Sequence, residues 1–246
     1  MPLITPVEYV DGYYFKRDDR FTAYGLSGAK VRGAEYLIRK GYREGYRKFT
    51  TVGHRKSPQI HIVGTLCKKM GLAFTGHTPQ GELPEVFKGF NIVQHRAGYN
   101  NVIAARCHTY AKENGYYEIP FGMIDMGVID LTSAQTFNVP LDTKRVVIPV
   151  GSGVNLCGIL KAFRKRRLQI PIVGVVVGKS PVKLLDAYAP YGWQSQVTLV
   201  DAKEKYSTPA KVTEFCDIEL DPIYEAKCLP FIKEGDLFWV IGIRNF

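Results

Sequence analysis

An α/β fold with parallel, twisted sheets covered by helices is predicted, and three observations predict it. Strand-like segments alternate along the chain with segments of helical spacing. The strand-like runs at residues 145–150 and 170–177 are nearly continuously apolar, as strands buried on both faces are. The chain's 246 residues, 46% of them hydrophobic, suffice for one sizeable core or for two lobes sharing a cleft.

The elements follow in order. Residues 13–16 read as a short strand. Val31, Ala34, Leu37, Ile38 and Gly41 then recur at helical spacing, with Arg32, Glu35, Arg39 and Lys40 facing outward. Residues 49–52 are strand-like, and a helix over 59–70 ends at Gly71. Residues 72–75 and 92–95 are two further strands, and 102–113 a helix that stops before Gly115. The β-branched run at 145–150 meets a glycine loop and then a helix from Asn155 to about Arg167. Strands at 170–177, 197–200 and 237–241 complete the set. Residues 79–84, with two prolines and a glycine, are the one short stretch that reads as an exposed loop.

Composition narrows the classes. The longest apolar stretch, 170–177, is too short to span a bilayer, and the start of the chain has neither the basic beginning nor the apolar middle of a signal peptide. A cytoplasmic location is the expectation, the host cytoplasm if the chain is viral. Cys67, Cys107, Cys157, Cys216 and Cys228 are dispersed with no C-x-x-C pair, which argues against disulfides and a zinc site. No histidine motif suggests a metal; His54 and His61, seven apart, would share a face if both were helical. The net charge of +10 favours approach to polyanions, although residues 164–167 fall where a helix should end and suit its dipole, and residues 39–48 suit a solvated helix face.

Three constellations carry chemistry. Gly151, Ser152, Gly153, Val154 and Asn155 follow the best strand and open a helix, so their backbone N–H groups suit either an anion or a plain tight turn. The loop lacks the Gly-Lys-Ser/Thr of a Walker motif and the third glycine of a dinucleotide fingerprint. Lys30, in Ser27-Gly28-Ala29-Lys30-Val31-Arg32, stands at a helix start, where the positive field lowers an amine's pKa; a surface lysine would look the same. In Leu220-Asp221-Pro222-Ile223-Tyr224-Glu225-Ala226-Lys227, Asp-Pro begins a turn. Tyr224 there suits a proton donor and Glu225 a partner for a cation, or both are ordinary helix residues.

In this order, and preceded by Lys16-Arg17-Asp18-Asp19, the motifs resemble the fold-type II pyridoxal-phosphate (PLP) enzymes related to ACC deaminase and D-cysteine desulfhydrase. In that family the lysine of a Gly-Asn-Lys-x-Arg segment bears the cofactor as a Schiff base; the position is Lys30, with Ala29 in place of asparagine. The resemblance makes residues 151–155 the phosphate loop, with Val154 and Asn155 as departures, and Glu225 the acid facing the pyridine nitrogen beside Tyr224. A looser match at residues 53–59 makes Ser57 and Gln59 substrate contacts, with Pro58 replacing an asparagine.

The resemblance implies two lobes with the cofactor in the cleft: a larger one of residues 1–40 and 135–246, and a smaller one of 41–134. It implies that Lys30, released by an incoming amine, acts as base or proton donor at the substrate's Cα, with Tyr224 a second proton donor. Together with the basic charge it leads us to expect a lyase, a decarboxylase tailoring an aminoacyl-modified DNA base as compact phage-encoded enzymes do, acting on flipped or single-stranded base. The alternatives are a deaminase or desulfhydrase of free amino acids and a non-catalytic basic binding protein. A homodimer is expected from the family.

Overall fold

The computed structural model describes residues 3–55, 57–96 and 100–242. In chain order these form β1 (Val7–Val10), β2 (Tyr13–Arg17), α1 (Ala29–Arg43), β3 (Lys48–Val52), α2 (Pro58–Lys69), β4 (Ala73–Pro79), β5 (Asn91–His95) and α3 (Asn100–Asn114). There follow β6 (Tyr117–Ile119), α4 (Met126–Gln135), β7 (Arg145–Val150), α5 (Val154–Arg166), β8 (Ile172–Val176), α6 (Val182–Tyr188), β9 (Val197–Asp201) and β10 (Asp236–Val240). The chain folds as two compact units: 3–21, 27–29 and 126–242 form one, and 22–26 with 30–125 form the other. Apart from its first residue, α1 groups with the second unit, whereas the expected boundary lay after residue 40.

In the first unit a six-stranded sheet runs β1-β2-β10-β7-β8-β9. Only β1 and β2 are antiparallel; the other neighbours are parallel, with Val147 beside Val173 and Ile172 beside Val197. The apolar runs have the cause expected of them. Strand β7 lies mid-sheet, and Val146, Val147, Ile148 and Val150 are buried on its two sides. Phe15, Val147, Val175, Phe238 and Val240 share one cluster with Leu220, Ala226 and Cys228, each large side chain contributing roughly 1.5–3 kcal/mol.

The motif at residues 16–19 is structural. Buried Lys16 donates from Nζ to the Thr5 carbonyl at 2.6 Å and to Asn138 Oδ1 at 2.8 Å. Buried Asp18 accepts from Thr5 Oγ1 at 2.7 Å and from Trp239 Nε1 at 2.9 Å. Arg17 bridges Glu8 and Asp19. These charges tie β2 to the neighbouring chain, and burial is tolerated because each is hydrogen-bonded.

Two elements of this unit escape the periodicity. Helix α4 has no amphipathic stripe, because it packs closely on α5: a Cβ at Gly158 would lie 2.6 Å from Thr132 Cβ. Strand β1 is an edge strand with no fully buried residue. Strand 170–177 is shorter than predicted, since Pro171 stands just before it.

The second unit holds a four-stranded parallel sheet in the order β5-β4-β3-β6, with Val52 beside His77. Phe49, Ile60, Val63, Leu66 and Ile103 are fully buried there. Thr50 and Thr51 are buried as well, and their hydroxyls donate to the carbonyls of Thr75 and Ile119 at 2.8 Å each. Ser57 caps α2 and Pro58 opens it, a position where a missing N–H costs nothing. His54 lies before that helix, so it does not share a helical face with His61. All five cysteines are free thiols, four of them buried.

Candidate active site

Strand β7 delivers the chain into the loop at residues 151–153, and its geometry is that of an anion cradle. Gly153 is the N-cap of α5 at φ 99°, a left-handed conformation that a side chain would strain. The first N–H returned to the loop is that of Cys157, which donates to the Gly153 carbonyl at 2.9 Å. The N–H groups ahead of it face out of the helix start, at the positive end of the dipole. Val154 is buried and contributes backbone only. Asn155 offers its backbone too, while its side-chain Oδ1 accepts from Thr132 Oγ1 at 3.1 Å.

The Asp-Pro segment packs directly on this loop. Asp221 Oδ1 accepts the N–H groups of Ile223 and Tyr224 at 2.8 and 3.0 Å, closing the turn that the sequence predicts. Tyr224 is thereby set against the loop: a Cβ on Gly151 would lie 3.1 Å from Tyr224 Cε1 and 3.3 Å from its hydroxyl. Tyr206 meets the Tyr224 ring edge-on at 5.9 Å. Glu225 then opens a 3-10 segment, Glu225–Phe231, in place of the α-helix that the pattern allowed.

Glu225 is the unusual group of the site. Only 1% of it is exposed. Its Oε1 accepts the N–H groups of Ile241 and Gly242, each at 2.9 Å, and its Oε2 is buried without a hydrogen-bond partner. Burial, aided by the nearby charge of Asp221, pushes its carboxyl up to about 8. An orphaned, buried carboxyl oxygen beside an anion cradle is what a protonated ring nitrogen and a phosphate would complete, so the residues present suit PLP.

Ile241 also anchors the segment that carries Lys30. Its carbonyl accepts the N–H of Ala29 at 2.9 Å, and Ala29 begins α1, leaving Lys30 as the second residue of that helix. Sequence reasoning missed Ile241 and Gly242 as site residues. The signal was faint: a buried strand running into a glycine.

In the second unit the loop at 53–59 follows β3. The Ser57 hydroxyl accepts the Gln59 N–H at 3.4 Å, which leaves its own proton for another partner. Gln59 differs from the expected substrate contact. Its Nε2 donates to Thr51 Oγ1 at 2.8 Å and to the Pro120 carbonyl at 2.9 Å, and its Oε1 accepts from Gly122 N at 2.9 Å. Both amide hydrogens are engaged, so Gln59 holds residues 120–122 in place and has no donor left for a ligand.

Among the described residues no cluster of histidine, cysteine and acid side chains could hold a metal, and no helix is long and apolar enough to cross a membrane. Part of the basic surface is paired: Arg39 with Glu35, Lys40 with Asp125.

No family model matches the chain. It is 24% identical to a provisionally named 1-aminocyclopropane-1-carboxylate deaminase of Thermotoga maritima, over 91% of this chain and 86% of that one. Its structure superimposes on an ACC deaminase homologue with a TM-score of 0.82 at 23% identity, covering 98% of this chain and 90% of the other. A threonine deaminase from Solanum lycopersicum follows with a TM-score of 0.71 at 18% identity, over 98% of this chain and 79% of that one. The chain is thus related in sequence to ACC deaminases and has the fold of the fold-type II enzymes, whose cofactor is pyridoxal phosphate.

Proposed function

We propose that the chain is a PLP-dependent lyase that eliminates at the Cα of a small free amino acid, with release of ammonia, and that Lys30 bears the cofactor. The observation that carries the reading is Glu225, a buried carboxyl with one oxygen fixed by two backbone N–H groups and the other without a partner. Bound there, the cofactor supplies an electron sink for charge developing at the substrate's Cα.

The residues divide the remaining work. The N–H groups of 151–155 hold the phosphate in a positive field. Glu225, ionised by the cofactor's own positive ring, would hold a proton at the ring nitrogen through its unpaired Oε2, which deepens the sink. The Lys30 amine takes or returns the proton at Cα, and the Tyr224 hydroxyl, packed on Gly151, gives a proton to the departing or newly formed carbon centre. Ser57 offers a hydroxyl to the substrate carboxylate.

The reading as a decarboxylase of an aminoacyl-modified DNA base rests on the net charge of +10 and is the alternative. One experiment addresses both. Purified protein with PLP should show a visible absorption band that borohydride bleaches, with the reduced adduct on Lys30 and no band in Lys30→Ala. It should release keto acid and ammonia from D-cysteine or a cyclopropane amino acid without DNA. A protein that PLP does not colour would overturn the enzyme reading, and carbon dioxide release only from modified DNA would favour the alternative.

A further inference from the structure

The basic run at the end of α5 is not one uniform charged surface. Arg166 is exposed but tied down, donating from Nη1 to the Thr136 carbonyl at 2.6 Å. Arg164 and Arg167 instead line a cavity of about 340 Å³, together with Leu160, Tyr191, Trp193 and Gln196. Lys165 is not among the lining residues. Among the described residues, neither Arg164 nor Arg167 pairs with a carboxylate.

The walls of this cavity are well fixed. The chain after α5 turns at Arg167, in the left-handed conformation at φ 57°, with its N–H returned to the Arg164 carbonyl. Gln196 Nε2 donates to the carbonyls of Leu168 and Ile170 at 2.8 and 3.0 Å, which ties this lining residue to the chain after α5. Trp193 is buried, with Nε1 donating to Asp186 Oδ1 at 3.1 Å. Tyr191 on the rim is 100% exposed, an unusual state for a large aromatic ring with nothing packed on it. A helix end alone explains cations at the last turn. It does not explain a cavity of ligand size that brings two unpaired guanidinium groups to a bare aromatic ring.

We propose that this cavity binds a phosphate-bearing aromatic ring, that is, a nucleotide, either free or as one unit of a single strand. Guanidinium forks match phosphate oxygens, a bare tyrosine is a stacking surface for a base, and the volume is in the range of small-ligand pockets. The site lies at the C-terminal end of α5, roughly 18 Å along that helix from the loop at its start, so it is separate from the cofactor loop.

The test is titration of the full chain, saturated with PLP so that the cofactor's own phosphate is accounted for. The probes are a fluorescent ADP analogue and a short labelled single-stranded oligonucleotide at low salt. Arg164→Ala and Arg167→Ala should each weaken binding about tenfold or more, and Tyr191→Ala by several-fold. Lys165→Ala should change it less than about twofold, which separates a built site from general attraction of polyanions. All four positions but Lys165 line the cavity and none is in the core, so melting temperatures should stay unchanged. An oligonucleotide held much tighter than ADP marks a strand as the ligand; comparable affinities mark the free nucleotide. No binding of either probe, or equal losses in the Lys165 and Arg164 variants, overturns the proposal.

Discussion

Glu225 and Ala29 grip opposite sides of Ile241: its N–H donates to Glu225 Oε1 and its carbonyl accepts the Ala29 N–H, both at 2.9 Å. The group proposed to meet the ring nitrogen and the start of the helix carrying Lys30 are therefore referenced to one residue.

Replacing Glu225 separates its two roles. Glu225→Gln keeps an oxygen for Ile241 and Gly242 and should leave stability close to wild type at pH 5, where the carboxyl is neutral, while turnover falls about a hundredfold because an amide does not hold a proton at the ring nitrogen. Glu225→Ala should in addition cost about 1–3 kcal/mol for each N–H left without a partner, read from urea denaturation.

The raised carboxyl of Glu225 also sets a pH dependence in the cofactor-free protein. The folded value of about 8 lies above the ordinary 4.5, so the stabilisation is fully present below pH 4.5 and is lost as pH rises through 8. Its upper bound is roughly 4–5 kcal/mol. Urea melts from pH 5 to 8.5 should show the decline, and Glu225→Gln should flatten it.

His77 should produce the opposite slope. It is fully buried, stacked on His95 with Nδ1 to Nε2 at 2.8 Å, and its Nε2 has no hydrogen-bond partner. Burial, followed by the proximity of His95, lowers it to about 4. With the folded value below the ordinary 6.5, its share of stability is present above pH 6.5 and lost as pH falls through 4, about 3 kcal/mol in all. His77→Gln, compared with wild type over that range, should remove the loss; an unchanged slope would show that His77 is not the titrating group.

Gly151→Ala places a methyl 3.1 Å from the Tyr224 ring. Because φ at this residue is not in the left-handed region, folding should be little affected. The displaced tyrosine should lower kcat about tenfold or more with a smaller change in KM.

Gln59→Ala should destabilise the protein by about 2–4 kcal/mol, since it strands the groups that its amide satisfies at Thr51, Pro120 and Gly122. Chemical denaturation measures this directly. An unchanged midpoint with a raised KM would instead identify Gln59 as a substrate contact.

Much of the fold was legible because burial on two faces leaves a mark in composition. Strands β2, β3, β7 and β10 and helices α1, α2 and α5 all fall within a few residues of their predicted places. Helix α4 was not legible, because its partner is a glycine of α5 and close contact needs no apolar stripe. Of the candidate site, the glycine loop and the Asp-Pro turn were visible as local backbone chemistry.

What the sequence by itself determined is the alternation of elements, the αβ class and the residue types at Lys30, 151–155, Tyr224 and Glu225. Each of these is a property of neighbours along the chain. Only the tertiary structure decided that Glu225 has an oxygen with no partner, that Gln59 is engaged within its own unit, that residues 16–19 serve the core, and that Arg164 and Arg167 line a cavity while Arg166 does not. Those facts depend on partners from 8 to 221 residues away, outside any one turn or strand repeat, and such a partner leaves no period or motif in the local sequence.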